Sequence, residues 1–247
     1  MIKLERAAKP AYLAGDNSVR LTEAFKESGG SVWNHGDIKK ALLESSYEKC
    51  AYCECSIVDE SKYMEVEHFR CKSAYEELVV EWCNLLPSCK RCNVAKGDHD
   101  VANEPIVNPY DVDPREHISF RLFRLKGLTD LGSATIAVAD LNNLERLVFR
   151  RFEVAQQVSR SVEVAMDRLA GFLESKTTLR KNKLVGMVET ILQECQPAAV
   201  YSAVTATVVL TDENFLSVVQ RMKVERVWLQ HLEELYEKAS SLVLRVV

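Results

Sequence analysis

The sequence lacks any apolar run long enough to cross a bilayer, which takes about 18–20 uncharged residues. Its first residues, MIKLERAAKPAYLAGDN, also lack the apolar core of a secretory signal peptide. Nothing in the chain is suited to membrane insertion. We therefore expect a cytoplasmic protein with no membrane partner.

An excess of positive charge is missing as well, since the formal net charge is −4 at pH 7. A protein that coats nucleic acid through bulk electrostatics needs a basic surface. That class of protein is therefore excluded. Any nucleic-acid site must be local, or a partner must supply the basic surface.

Internal repeats, low-complexity tracts and the composition of a disordered chain are also absent. Hydrophobic residues make up 47% of the 247 residues and charged residues 28%, which is ordinary for a folded protein. Domains typically contain roughly 100–200 residues. The length therefore accommodates one substantial core and a second, smaller unit.

Cysteine, in contrast, is plentiful, with eight residues. Disulfides are disfavoured in a chain without export signals, because the cytosol keeps thiols reduced. Two C-x-x-C pairs, Cys50/Cys53 and Cys89/Cys92, match the tetrahedral, thiolate-rich preference of Zn²⁺. We predict that they bind one structural zinc ion, the alternative being four buried thiols that act as small hydrophobic residues. The unpaired cysteines should be such fillers, with Cys55 as the first candidate for a substitute ligand.

The region before the cysteine pairs, residues 1–45, has the pattern of a basic arm followed by two helices. Apolar periodicity predicts helices over 19–27 and 33–43. Asn34 or Asp37 would cap the second helix. This region is a candidate for contact with a partner.

The cysteine-rich region, residues 46–105, predicts two strands and a helix around a metal. Alternating segments at 53–58 and 63–68 are separated by residues 59–62, which suggests a hairpin with a histidine at its end. A short helix is predicted over 89–96, because a glycine follows it.

The remaining region, residues 106–247, predicts a mainly helical domain. A small strand pair broken at Lys126-Gly127 should come first, followed by a helix of about 30 residues from residue 144. A second helix stops before Pro197, and a third runs from about Asp212 toward the C-terminus. The stretch between them is helix or buried strand. The chain is thus predicted to be α+β, with a small zinc-stabilised module and a mainly helical remainder.

The cysteine-rich region resembles the HNH endonuclease family in its four-cysteine, ββα-metal form. The resemblance covers about residues 47–100 and is specific, because several residue types fall in the family's order. The motifs that carry it are Glu67-His68, Trp82-Cys-Asn84-Leu-Leu and Cys89-Lys-Arg-Cys92-Asn93-Val-Ala-Lys96-Gly.

Carried over residue by residue, the resemblance implies a catalytic site. His68 would be the general base, Glu67 and Asn93 would bind Mg²⁺ or Mn²⁺, and Asn84 would orient the histidine loop. The chain departs from the commonest pattern in having Glu rather than Asp before the histidine, and Asn rather than His at the third signature position. His99 is the alternative metal ligand, although Asn93 is preferred because it projects from the helix.

The chemistry of phosphodiester cleavage agrees with these roles. Imidazole has a pKa suited to deprotonating water near pH 7. Hard oxygen ligands suit Mg²⁺ whereas soft thiolates take zinc, so two metals can occupy separate sites. The alternative for His68 is a structural histidine satisfied by a backbone carbonyl. Nearby basic residues are candidates for binding phosphates: Arg70, Lys72, Lys90, Arg91 and Lys96.

Looser motifs outside the module extend the resemblance to about 150 residues. They resemble the HNH subunit, PtuB, of Septu-type and retron-associated anti-phage systems. That family implies a partner ATPase of the ABC or SMC-like, PtuA type, and in retron systems a reverse transcriptase with its DNA. The helical region, residues 144–247, is a candidate docking platform for the ATPase, although its apolar stripes are more simply explained as its own core. The residues concerned are Trp33, Ile38, Leu42, Glu54, the linker 108–110 and the segment 136–150.

The sequence therefore predicts a metal-dependent HNH endonuclease within a defence complex, with DNA as the favoured substrate. Two alternatives stay open. The first is a non-catalytic zinc-binding adaptor that recruits nucleic acid or the ATPase. The second keeps the enzyme but changes the substrate to tRNA or another RNA, because a ββα-metal site contacts the backbone in either case.

Overall fold

The computed structural model of the chain describes residues 1–59 and 63–247. Over these ranges the chain forms nine α-helices, short strands and several 3-10 turns, so the predicted α+β class is confirmed. None of the helices in these ranges combines the length and the apolar character needed to cross a membrane. The 3-10 turns are Ala11–Leu13, Glu76–Leu78, Trp82–Asn84 and Pro114–Glu116.

The chain divides into two compact units, each built from two segments. The first unit comprises Met1–Ile118 and Leu125–Asn143, and the second comprises Ser119–Arg124 and Leu144–Val247. The roles that the sequence suggests for its three regions stay predictions, because compactness alone does not test a role.

The first unit begins with two short helices, α1 (Asn17–Ser28) and α2 (Gly36–Ser45). α1 ends where Gly29 takes the left-handed conformation, with a φ of 68°. Glycine meets no steric penalty there, so it terminates the helix as its sequence position indicates. α2 buries Ile38 and Leu42 on one face.

The start and the cap predicted for the second helix are wrong. The helix was expected from residue 33 with Asn34 or Asp37 as its cap. The cap is His35, whose Nδ1 accepts a hydrogen bond from the backbone N–H of Asp37 at 3.2 Å. Because His35 keeps an extended backbone to make this bond, the helix begins only at Gly36.

Two antiparallel strands lie at the centre of the first unit, β1 (Met64–His68) and β2 (Leu85–Cys89). Their register places His68 opposite Leu85 and Met64 opposite Cys89. Leu85 and Leu86 are fully buried. The register therefore brings the histidine at the end of β1 beside the core and the second cysteine pair beside the start of β1.

The predicted hairpin between 53–58 and 63–68 is wrong, because β1 pairs with β2 instead. Residues 53–58 contribute only an isolated bridge, between Ser56 and Lys49. The first cysteine pair bends this segment into a turn, whereas β2 offers a run of buried apolar side chains for β1 to pair with. Of the turn predicted at 59–62, residues 60–62 lie outside the described residues.

Helix α3 (Lys90–Lys96) follows β2 directly, so the predicted short helix is confirmed. The Cys89 side chain caps it by accepting a hydrogen bond from the backbone N–H of Cys92. Gly97, with a φ of 50°, ends it. Two antiparallel strands and a helix are thus arranged around the cysteine pairs.

The strand pair expected near residue 120 is present, but its predicted break at Lys126-Gly127 is wrong. The strands are β3 (Ile118–Arg121) and β4 (Arg124–Gly127), separated by Leu122 and Phe123 with φ of 47° and 63°. Gly127 serves close packing instead, since a Cβ there would lie 2.1 Å from Ser133 Oγ. Helix α4 (Asp130–Val138) follows.

The second unit is built mainly from helices. A π-helical turn at Leu144–Val148 leads into α5 (Phe149–Glu174), so the predicted long helix is confirmed. Residues Ser119 and Phe120 pair in parallel with Arg245 and Val246 of the last strand. The other elements are α6 (Thr178–Gln193), α7 (Ser202–Leu210), α8 (Glu213–Val224), α9 (Gln230–Ser240) and β5 (Arg245–Val246).

Two features of the second unit went beyond the sequence pattern. The third predicted helix is wrong as a single element, because Arg226 takes a φ of 57° and separates α8 from α9. The undecided stretch before residue 210 is α7, a helix buried on nearly all sides. A helix without a solvent face has no apolar periodicity, which explains why the pattern did not identify it.

Candidate functional site

Four thiols of the first unit meet at the positions predicted for a zinc site. The ligand atoms of Cys50, Cys53, Cys89 and Cys92 all lie within 4.8 Å of one another. The Sγ atoms of Cys53 and Cys89 are 3.8 Å apart, close to the separation of about 3.8 Å for two sulfurs at 2.3 Å from one tetrahedral Zn²⁺. The cluster can therefore hold a structural metal such as zinc. Among the described residues it consists of these four, and Cys55 is outside it.

Backbone contacts bring the two cysteine pairs together. Ala51, inside the first pair, donates its N–H to the carbonyl of Pro87 in β2 at 2.9 Å. The second pair straddles the start of α3, where the Cys89 thiol also caps the helix. Pro87 lacks an N–H, but its carbonyl joins the first pair to β2. The metal site thus depends on β2 and on the N-terminus of α3.

The unpaired cysteines differ in their surroundings. Cys71 and Cys195 are buried, as expected for small hydrophobic fillers. Cys55 is partly exposed, and Cys83 is exposed, so the filler role predicted for Cys83 is wrong. The 3-10 turn at Trp82–Asn84 buries its first and last residues and leaves the middle one in solvent.

His68 has a fixed tautomer. Its Nε2 lies 2.9 Å from the carbonyl oxygen of Val79. A carbonyl only accepts, so Nε2 carries the proton and Nδ1 carries the lone pair. Burial lowers the pKa of His68 to about 4, and the cations of Lys72 and Lys96 lower it too, against the opposing effect of the Val79 bond. The ring is therefore neutral near pH 7, as a general base must be.

Glu67 is buried beside this histidine and is paired with Lys96. Lys96 Nζ lies 2.7 Å from Glu67 Oε1 and donates a hydrogen bond to the backbone oxygen of His68 at 3.0 Å. The first contact is an ion pair whose geometry is not that of an aligned hydrogen bond. Burial raises the pKa of Glu67 to about 7, although Lys96 opposes this shift. A cation that binds Glu67 must therefore compete with the Lys96 amine.

Asn84 ties down the loop that follows His68. Its Oδ1 accepts a hydrogen bond from the backbone N–H of Arg70 at 2.7 Å. Its Nδ2 donates to the carbonyls of Arg70 at 3.1 Å and Leu78 at 3.2 Å. The side chain is buried. The amide therefore joins the chain after His68 to the segment that precedes Val79, the residue that fixes the His68 tautomer.

Asn93 projects from α3 toward β1, where it meets Glu65, which belongs to none of the sequence motifs. Its Nδ2 donates a hydrogen bond to Glu65 Oε2 at 2.6 Å. Glu65 and Glu67 are two residues apart on β1, so they share one face of the strand. Only the alternation of the strand could have drawn attention to Glu65, and its partner on α3 was not visible in the sequence.

A pocket with a volume of about 540 Å³ lies over these groups. Glu65, Glu67, His68 and Asn93 line it together with Lys72. The structure thus brings three of the four predicted catalytic residues into one cavity. The carboxylate and amide oxygens that line the pocket are metal ligands of the kind that hard divalent cations prefer, so the residues fit Mg²⁺ or Mn²⁺.

His99, the alternative ligand, has other partners. Its Nε2 lies 2.8 Å from the carbonyl oxygen of Glu104, and its Nδ1 lies 3.8 Å from a carboxylate oxygen of the same residue. It is not among the residues that line the pocket, whereas Asn93 is. The geometry therefore favours Asn93.

Three of the basic residues predicted to bind phosphates face solvent. Lys72 lines the pocket, with its Nζ 5.6 Å from the centroid of the Trp33 ring. The Arg70 guanidinium lies over the ring of Tyr75, 5.6 Å from its centroid. Lys90 is exposed at the start of α3. These three are accessible to a nucleic-acid backbone.

The other two basic residues already have partners inside the protein. Arg91 Nη2 lies 3.5 Å from Cys92 Sγ, and Nη1 lies 3.5 Å from the carbonyl oxygen of Asp140. Lys96 is buried against Glu67. A phosphate contact by Lys96 would require its amine to leave Glu67.

The fold adds residues to the pocket that were not predicted as site residues. Ser31, Trp33 and Lys39 come from α2 and the segment before it. The Trp33 and His68 rings meet edge to face, with centroids 4.6 Å apart. This contact packs one side of the imidazole. No sequence signal places these residues beside β1, because the contact is made through the tertiary structure.

Two known proteins are similar to this chain. The Septu protein PtuB of Bacillus thuringiensis is 41% identical over 246 residues, which cover 99% of this chain and 95% of that protein. The Septu protein PtuB of Bacillus mycoides (strain KBAB4) is 28% identical over 215 residues, which cover 69% of this chain and 72% of that protein. No protein-family model matches the sequence, and no solved structure matches it.

Proposed function

This chain belongs to the Septu protein PtuB family, and from that premise we propose that it is a metal-dependent HNH endonuclease acting as a subunit of an anti-phage defence complex. The predicted resemblance to PtuB is thereby confirmed. The nuclease activity, the ββα-metal identity of the module and the ATPase partner belong to the proposal. DNA is the favoured substrate, and tRNA or another RNA is the alternative.

One observation carries the proposal: His68, Glu67 and Asn93 line a single pocket next to the four-cysteine cluster. The pocket combines a neutral imidazole with oxygen donors for a cation. The cysteine cluster holds α3, which carries Asn93, and the end of β2, with which the strand of Glu67 and His68 pairs. A structural metal site beside a separate pocket of this composition supports the proposal of phosphodiesterase activity.

In the proposed reaction His68 acts through Nδ1. That atom accepts a proton from the attacking water, while the bond from Nε2 to Val79 keeps the ring in the tautomer that can do so. A bound Mg²⁺ or Mn²⁺ would supply charge stabilisation for the phosphate and the leaving oxygen. Glu67 and Asn93 would hold that ion, and Lys72 faces the pocket where it can contact a phosphate.

The proposed partner is a PtuA-type ATPase of the ABC or SMC-like class. A net charge of −4 leaves little general attraction for nucleic acid, which fits a subunit whose partner contributes to substrate binding. The names of both relatives refer to Septu. A retron reverse transcriptase and its DNA therefore stay a prediction from the sequence resemblance and are not part of this proposal.

A non-catalytic, zinc-binding adaptor is the second candidate, and two observations favour it. His68 is satisfied by a backbone carbonyl, and Glu67 is neutralised by Lys96. Both contacts are also found in purely structural cores. In the adaptor, these residues would stabilise β1 and have no role in chemistry.

A cleavage assay separates the two candidates. The purified chain, alone and with its ATPase, is incubated with plasmid DNA and with tRNA in Mg²⁺. We expect His68→Ala to lower the cleavage rate about 10²–10⁴-fold, because a general base is lost. Zinc content and ATPase binding should not change. His99→Ala is the matched control and should cut at nearly the normal rate.

The adaptor makes the opposite prediction. If His68→Ala protects cells from phage as well as the normal protein and no cleavage is measurable in either, the nuclease proposal is wrong. Cleavage of tRNA without cleavage of plasmid DNA would keep the enzyme and change the substrate.

A further inference from the structure

Two parallel contacts between side chains connect β1 to α3 on the pocket side. Glu65 and Glu67 share one face of β1, and Asn93 and Lys96, three residues apart, share one face of α3. Glu65 pairs with Asn93 at 2.6 Å, and Glu67 pairs with Lys96 at 2.7 Å. The second contact neutralises a buried charge. The contact between Glu65 and Asn93 involves a neutral amide, so neutralisation of charge does not explain it.

The Asn93 side chain has two ends that differ in chemistry. Only its oxygen can bind a hard cation, whereas its NH₂ group repels one. A half-turn about the last side-chain bond exchanges the two ends. An asparagine that binds a cation therefore needs a neighbour that selects the orientation.

Glu65 is such a neighbour. A carboxylate accepts hydrogen bonds and cannot donate them, so it can face only the NH₂ end of the amide. The bond from Asn93 Nδ2 to Glu65 Oε2 has this sense. It directs Oδ1 away from Glu65. Both residues line the pocket that Glu67 and His68 line.

We propose that Glu65 is a positioning residue that holds the Asn93 amide with its oxygen presented to the catalytic cation. The inference rests on the proposed function, because it concerns the divalent ion of that site. Glu65 acts through Asn93 and does not touch the ion. Contacts of this kind typically change metal affinity about 10–100-fold.

The substitution Asn93→Asp distinguishes a positioning role of Glu65 from a merely structural one. Both ends of a carboxylate are oxygen, so an aspartate at this position needs no orienting neighbour. The loss caused by Glu65→Ala should therefore depend on which residue occupies position 93. In the Asn93→Asp background the substitution should weaken cation binding only slightly, because the orientation of residue 93 no longer matters and only the through-space attraction of the Glu65 charge is lost.

Mn²⁺ affinity is measured by electron paramagnetic resonance on the zinc-loaded full chain without substrate. We expect Glu65→Ala to weaken binding about 10–100-fold. Glu65→Gln should keep most of the affinity, because its amide oxygen can still accept from Asn93. Relative to Asn93→Asp alone, Glu65→Ala in the Asn93→Asp background should lose much less affinity than Glu65→Ala loses in the wild-type background. Zinc content and thermal unfolding of each variant report on folding.

Each other outcome overturns the inference. Equal losses for Glu65→Ala in both backgrounds, together with a loss for Glu65→Gln, would make Glu65 a direct ligand. Unchanged affinity in Glu65→Ala would remove any role in cation binding. A wild-type chain that binds no Mn²⁺ at this site would instead overturn the proposed catalytic metal, and a normal Cys-bound zinc content would show that the chain was folded.

Discussion

Single residues of the pocket are oriented by neighbours that take no part in the proposed chemistry. Val79 selects the tautomer of His68, and Asn84 holds the loop between them. The Trp33 ring packs against the imidazole edge to face. A catalytic side chain needs this support, because a shift of about 1 Å can cost a large factor in rate.

Asn93, rather than His99, should be essential for cleavage with Mg²⁺. Asn93→Ala removes an oxygen ligand and should abolish Mg²⁺-supported activity, whereas His99→Ala should keep most of it. Activity titrations with Mg²⁺, Mn²⁺ and Ni²⁺ check this, because an imidazole ligand would shift preference toward Mn²⁺ or Ni²⁺. An inactive His99→Ala beside an active Asn93→Ala would mean that the site is of the histidine-ligated kind.

Asn84→Ala should affect both stability and catalysis. The substitution leaves the N–H of Arg70 and the carbonyl of Leu78 without the amide, at a typical cost of about 1–3 kcal/mol for a buried group left unsatisfied. Chemical denaturation measures the loss of stability. Cleavage at a temperature where the variant stays folded should still be slower, because the loop that positions His68 is released.

Asn84→Asp is the matched control for this prediction. It keeps the acceptor for Arg70 but turns a carboxylate oxygen toward the carbonyls of Arg70 and Leu78, so its loss of stability should be at least as large as that of the alanine variant. A variant Asn84→Ala that is stable and fully active would show that the loop positions itself without the amide.

At the scale of secondary structure, β1, β2 and α3 depend on the cysteine cluster. Cys89 ends β2, caps α3 and contributes a thiol to the metal site. α3 has seven residues, which is too short for stable helix formation alone in water. Its order must therefore come from the metal site and from its contacts with β1.

Metal removal should unfold the module of β1, β2 and α3. A structural zinc site contributes on the order of 10 kcal/mol in isolated zinc modules. Metal analysis should find about one zinc per chain, and Cys89→Ser should lose it. Circular dichroism and limited proteolysis during chelation report whether folding is lost with the metal.

Cys83→Ser is the control for the zinc prediction. This thiol is exposed and lies outside the cluster, so the variant should retain zinc and folding. Full zinc content in a variant with both Cys50 and Cys89 replaced by serine would contradict the proposed ligand set.

At the scale of the whole molecule, the charge balance bears on partners. The net charge is −4, and two of the five basic residues near the pocket are already paired within the protein. Accessible cations near the pocket include Arg70, Lys72 and Lys90. A few cations can align a backbone, but they cannot provide tight binding at physiological salt.

The isolated chain should therefore bind nucleic acid weakly, and a complex with the proposed ATPase partner should bind much more tightly. Fluorescence anisotropy with labelled DNA and tRNA at several salt concentrations measures both. Lys72→Ala should reduce binding without changing zinc content, with Lys181→Ala as a control on α6. Equal affinities for the isolated chain and the complex would argue against a substrate surface shared with the ATPase.

Features that depend on residues close together in the sequence were determined by the sequence itself. The C-x-x-C spacing brings two thiols of each pair to one point, and Gly97 ends α3 through its own backbone freedom. The long helix α5 was predictable from the apolar stripe in its own sequence, without knowledge of the segments it packs against. Arg151 interrupts this apolar stripe, and the structure gives the reason: its side chain is buried and reaches the carbonyl of Phe123 at 3.5 Å.

Features that depend on which distant segments meet were decided by the tertiary structure. β1 pairs with β2 rather than with residues 53–58. Burial of the leucines of β2 stabilises this pairing by more than a hairpin would have gained from its short connection. The contact of Glu65 with Asn93 exists only because this pairing and the cysteine cluster place α3 against β1. Local pattern carries no information about such contacts, because their energy comes from burial and pairing across many residues of sequence.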